Sequence, residues 1–120
     1  WKFSIQRRLK YFCFTRLQPA LVLADETLRI SLLVTCVGGA LAPILVDHIS
    51  KSSFIHYELY GADADINNQL SLRYDNQLSA LFSLPTGDHP DYIQELCTMV
   101  SRYGIQVILP GSDNEAYAMS

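Results

Sequence analysis

Short apolar runs alternate with segments of helical spacing along most of this chain, and that alternation restricts its fold more than any other feature. The runs are ISLLVTC at 30–36, HYELYGA at 56–62, ALFSLP at 80–85 and IQVIL at 105–109. Each is short and bounded by Gly, Pro or acidic turn residues, the pattern of strands in a buried sheet. Between the first two runs, Ala40, Leu41, Ile44, Leu45 and His48 or Ile49 predict a helix over 40–51, with Pro43 tolerated in its first turn. Asn67–Asn76 is polar, with room for one or two helical turns. The clearest helix follows Asp88, its expected N-cap, with Pro90 near N1. Ile93, Leu96, Cys97 and Val100 form its core-facing stripe, and Gly104 supplies its stop. SDNE at 112–115 has capping-box spacing and predicts a last helix. Strands alternating with helices imply right-handed crossovers and a three-layer α/β domain with a four-stranded, mostly parallel sheet. Ligands gather outside the carboxyl ends of such strands. Cys36–Ala40, Gly61–Asp65 and Pro110–Glu115 are the three loops expected at that edge.

Composition limits the remaining possibilities. Hydrophobic residues make up 49% and charged residues 18%, which argues against a disordered chain. The net charge of −3 gives no general reason to expect nucleic acid as a partner. Charge is uneven: six Lys/Arg against two acids precede Ile30, and three against ten follow from there, balances of +4 and −7. We therefore divide the chain into a basic N-terminal extension and linker (1–29) and an acidic domain (30–120). WKFSIQRRLKYFCFTR, read as a helix, puts Trp1, Ile5, Leu9 and Phe12 on one face, with Arg8 and Arg16 at its border. A membrane-surface contact of 1–16 competes there with simple packing on a neighbour, and the mixed face favours packing. Cys13, Cys36 and Cys97 are odd in number and widely spaced, which argues against a disulfide framework or zinc site and for a reducing, cytoplasmic setting. The chain opens on Trp and ends just inside the last helix, so we expect a piece of a longer protein.

The loop VTCVGGALAP carries the most chemistry. A dinucleotide fingerprint begun at Cys36 keeps only its middle glycine, Gly38. A Walker A loop is excluded, since no GK[ST] occurs. Two readings stay open. Gly38 and Gly39 expose amides at a helix N-terminus, suited to a carboxylate or phosphate, or they only permit a turn with positive φ. Asp63 and Asp65 sit where a dinucleotide enzyme holds a ribose, but alternation with Ala and Ile suits an exposed turn better. Asp113 and Glu115 lie at the ligand edge, although capping already accounts for Glu115. His48, His56 and His89 share no metal-ligand spacing, and Cys36, at a helix N-terminus, lacks any identifiable acid or base partner.

Four stretches share an order with a known family. ISLLVTCVGGALAPIL reads as a first strand, a T-x-x-GG loop and a helix, and YELYGADAD as a second strand ending in G-x-D. ALFSLP is a short third strand, and DHPDYIQELCTMVSRYGIQVILPGSDNEAYA is a D-x-x-Y-I helix, a strand and a G-x-D-x-E-led helix. Together 30–120 resembles the Rossmann-like N-terminal pre-ATP-grasp domain of ATP-grasp ligases, in the branch similar to carbamoyl-phosphate synthase large subunits. Cys36 and Pro43 depart from that family's usual residues. The resemblance implies an enzyme that joins a small carboxylate substrate to an amine or similar nucleophile with ATP and Mg²⁺. It implies that both are bound mainly by a C-terminal ATP-grasp domain beyond this chain, which would be inactive alone. It also implies substrate contacts at Gly38, Gly39 and Ala40, and at Asp113 and Glu115. The rivals are an NAD(P)-binding oxidoreductase domain using Gly38, Gly39 and Asp63, and a non-enzymatic interaction domain using the arm 1–16.

Overall fold

The computed structural model describes residues 28–120, so the expectations for the arm 1–16 and for most of the linker lie outside the described residues. Four strands and four helices alternate. They are β1 (Leu28–Thr35), α1 (Ala42–Ser50), β2 (Ile55–Asp63), α2 (Asn68–Arg73), β3 (Ala80–Ser83), α3 (Tyr92–Tyr103), β4 (Val107–Leu109) and α4 (Asp113–Met119). The sheet order is β3-β2-β1-β4, and every pairing is parallel. The expected α/β class and four-stranded sheet are therefore present, in a Rossmann-like arrangement.

Strand polarity and side-chain alternation make the three layers. On β1, Leu33 faces one way while Leu32 and Val34 face the other. Leu33 joins Tyr60, Ala62, Tyr92, Leu96, Met99 and Ala118 in a core under α3 and α4. Leu32 and Val34 join Val37, Ala42, Val46, Leu59, Leu70 and Tyr74 in a second core under α1 and α2. The chain steps from β1 to β2 to β3 in one direction, then returns past both to β4. Direction and helix face reverse together, which keeps one hand for every crossover. The reversal puts a topological switch point between β1 and β4, where parallel sheets open a crevice.

Local chemistry sets the element ends. Pro43 lies in the first turn of α1. Asn67 caps α2, its side chain accepting from the Leu70 amide at 2.9 Å. Gly104, at φ 64°, ends α3 in the left-handed region as its position predicts. β4 is shorter than the apolar run because Gln106 pairs with Ser31 by another route. Its amide donates to the Ser31 carbonyl at 2.8 Å, and its side-chain oxygen accepts from the Ser31 amide at 2.8 Å.

Two expectations are corrected. Asp88 does not cap α3. The chain makes a turn there, His89 N–H to Thr86 carbonyl at 2.9 Å, and the helix starts three residues later behind Asp91. The stripe rotates with it, so that Tyr92 and Met99 are buried beside Leu96 and Cys97. On α1 the buried residues are Ala42 and Val46, while Leu41, Ile44 and Leu45 are exposed. Small Ala42 lets the helix approach the sheet, which turns the larger side chains outward.

Candidate functional site

The three loops expected at the carboxyl edge meet there. β1 ends in Thr35, and Cys36 follows with φ 52°, a left-handed conformation that favours glycine. This residue turns the chain out of the sheet at the position where a dinucleotide fingerprint carries its first glycine. Val37 is buried and ties the loop to β2, its amide donating to the Ala62 carbonyl at 3.2 Å. The Tyr74 hydroxyl donates to the Val37 carbonyl at 2.6 Å and fixes the loop from the α2 side.

The glycine amides are engaged within the protein. Gly38 N–H donates to Asp63 Oδ2 at 2.8 Å, and Gly39 N–H donates to the Cys36 carbonyl at 3.0 Å. The other Asp63 oxygen, Oδ1, accepts from the Asp65 amide at 2.9 Å. Asp63 is thus both the Asx turn anticipated for the acidic loop and the anion seated on the glycine loop. A Cβ on Gly38 would approach Asp63 Oδ2 to 3.0 Å, so a residue without a side chain suits this contact. Arg73, the last residue of α2, donates from Nη1 to the Gly38 carbonyl at 3.2 Å. Its place in the site was not legible in the polar stretch 67–76.

The glycine loop, the acidic turn and α2 wall an open cleft of about 700 Å³, lined by Cys36, Gly38, Gly39, Asp63, Asp65 and Arg73 among others, with no lining residue from Pro110–Glu115. Ala40 is exposed just beyond it. The Cys36 thiol is pushed up from its ordinary value, first by burial and then by the charges of Glu115 and Asp63. It is therefore a protonated thiol at neutral pH, opposite to the thiolate that a helix N-terminus alone would favour.

Glu115 and Asp113 separate. Asp113 is exposed. Glu115 is buried and turns inward, accepting from Thr35 Oγ1 at 2.7 Å and from the Gly111 amide at 3.2 Å. Ser112 Oγ accepts from the Glu115 amide at 3.3 Å, so half of the capping box forms. The other half is replaced by the bond to β1. Gly111 packs so tightly on β1 that a Cβ there would collide with the Thr35 carbonyl. The Tyr92 hydroxyl lies near this cluster, fully buried, with no hydrogen-bond partner among the described residues.

Among the described residues, no group of three or more His, Cys, Asp or Glu could hold a metal ion, and Asp63 already accepts from the Gly38 amide. Among them, no helix is long and apolar enough to cross a membrane. No family model, curated protein or solved structure matches this chain.

Proposed function

We propose that residues 30–120 form the N-terminal, substrate-side domain of a cytoplasmic ATP-grasp carboxylate–amine ligase, inactive without the domain that follows it. The observation that carries this reading is the open cleft at the carboxyl edge. It is walled by the glycine loop, the acidic turn and α2 with Arg73, and it opens to solvent, where a second domain could close it. Leu41, Ile44 and Leu45, exposed on the first turns of α1, give such a domain an apolar surface to cover. ATP and Mg²⁺ belong, in this reading, to that domain.

Asp63 also bears on the dinucleotide alternative. A pyrophosphate would need the glycine-loop amides, and a carboxylate already accepts from one of them. Negative charge in that position opposes NAD(P) binding.

The test is turnover by a chain extended past Ser120 through the next domain. ADP release is expected to require both a carboxylate and an amine, with the 1–120 chain inactive. A folded extended chain that shows no such dependence on any carboxylate and amine pair would refute the assignment. Tight NAD(H) binding by residues 1–120 would favour the oxidoreductase reading instead.

A further inference from the structure

The cleft carries charges of both signs that form no ion pair with each other. Arg73 projects into it from the end of α2, and Asp63 and Asp65 line it from the β2 turn. Neither carboxylate lies within 4.0 Å of the guanidinium, because the described ion pairs are Lys51–Asp47 and His89–Asp91. Each group is held in place by the backbone instead. Asp63 accepts two amides, and Arg73 donates to the Gly38 carbonyl, which leaves most of its five N–H donors unused. The Asp65 carboxylate makes no hydrogen bond or ion pair among the described residues. Both glycine amides are already committed, so the strongest anion donor left in the cleft is Arg73.

We propose that this cleft binds a small zwitterion of the amino-acid class, its carboxylate on Arg73 and its ammonium on Asp65 beside Asp63. The inference rests on reading the cleft as a substrate wall. It moves the carboxylate contact from the glycine amides to the guanidinium. Opposite fixed charges that face one water-filled cleft without pairing favour a ligand carrying both complements, because it satisfies each group without a like-charge contact. A simple carboxylate gains Arg73 but meets two acids. A simple amine gains the acids but meets Arg73.

The test titrates the full chain with 4-aminobutyrate and 6-aminohexanoate, with butyrate and butylammonium as singly charged controls at matched ionic strength. The amide resonances of Gly38, Gly39 and Asp65 report binding. Saturable shifts are expected with at least one zwitterion, at an affinity about tenfold or more above either control, the scale of one charge-assisted contact. Arg73→Gln should reduce that affinity to the level of butylammonium, Asp65→Asn to the level of butyrate, and Arg73→Lys should restore part of the loss. Both side chains are exposed, so unchanged melting curves will separate binding from folding. Butyrate binding as tightly as the zwitterions overturns the inference and leaves the ligase reading standing. No response to either zwitterion, or none to either substitution, also overturns it. Zwitterion binding without carboxylate-dependent ATP turnover in the extended chain sinks the ligase reading alone.

Discussion

Thr35 Oγ1 donates a 2.7 Å hydrogen bond to Glu115 Oε2, joining the end of β1 to the first turn of α4 across 80 residues of chain. Both side chains are buried, and the Gly111 amide donates to both at 3.2 Å. The carboxylate thereby holds the β4–α4 turn against the central strand. Glu115→Ala would leave the buried Thr35 hydroxyl without its acceptor and the Gly111 amide with Thr35 Oγ1 alone, at an expected cost of about 2 kcal/mol. Glu115→Gln keeps one acceptor and should cost about 1 kcal/mol. Asp113→Ala, at an exposed position, should change stability by less than about 0.5 kcal/mol. Urea denaturation of the three variants checks the ranking. Equal effects of the Glu115→Ala and Asp113→Ala changes would show that the buried bond does not stabilise the fold.

Cys36 gives a second prediction, because a non-glycine residue there holds φ at 52°. A left-handed backbone costs a side-chain-bearing residue roughly 1 kcal/mol. Cys36→Gly removes that strain, loses part of a half-buried thiol and frees the unfolded chain. The expected result is a stability equal to the parent or up to about 1 kcal/mol higher. Cys36→Val adds β-branching in the same backbone region and should destabilise. A glycine variant clearly weaker than the parent would mean that the thiol contributes more through packing than the backbone loses through strain. The test uses thermal melts under reducing conditions, so that Cys13 and Cys97 stay as thiols.

The strands and the three loops at the carboxyl edge of the sheet are legible because burial imposes a period on the sequence. ISLLVTC is apolar on both faces because β1 is central, and the chain leaves it where small residues begin. The direction of Glu115 was not legible. Ser112 and Glu115 have capping spacing, and the local rule correctly placed the Ser112 bond. The partner of the Glu115 side chain is Thr35, far away in sequence, and only the sheet order brings them together. The place of Arg73 is not legible for a related reason. The 67–76 stretch has no apolar period of its own, and α2 is fixed mainly by Asn67, Leu70 and Tyr74. The rotation of α1 follows from the close approach of Ala42 and Val46 to the sheet, where spacing alone had favoured the larger Leu41, Ile44 and Leu45.

Alkaline pH should weaken the fold, and Tyr92 is the main reason. Its phenol is pushed well above its ordinary 10.0, first by burial and then by the charge of Glu115. Burial also raises Tyr74 and Tyr60 from the same ordinary value, and Cys36 and Cys97 from 9.0. For each group the folded state keeps its proton to a higher pH than the unfolded chain does. Above the unfolded value the unfolded chain binds fewer protons, so unfolding stability has a negative slope with pH. The contribution is fully present below about pH 8.5 and declines first through the thiols, then through the phenols above about pH 10. Tyr92→Phe deletes a buried hydroxyl that has no hydrogen-bond partner among the described residues, so it should leave stability at pH 7 unchanged or raise it by up to about 1 kcal/mol. It should also flatten the decline above pH 10, the ordinary value for the phenol. Denaturation midpoints measured from pH 7 to pH 11 on the parent and the Tyr92→Phe variant check both effects. Parallel curves for the two proteins would remove Tyr92 as the source of the alkaline loss.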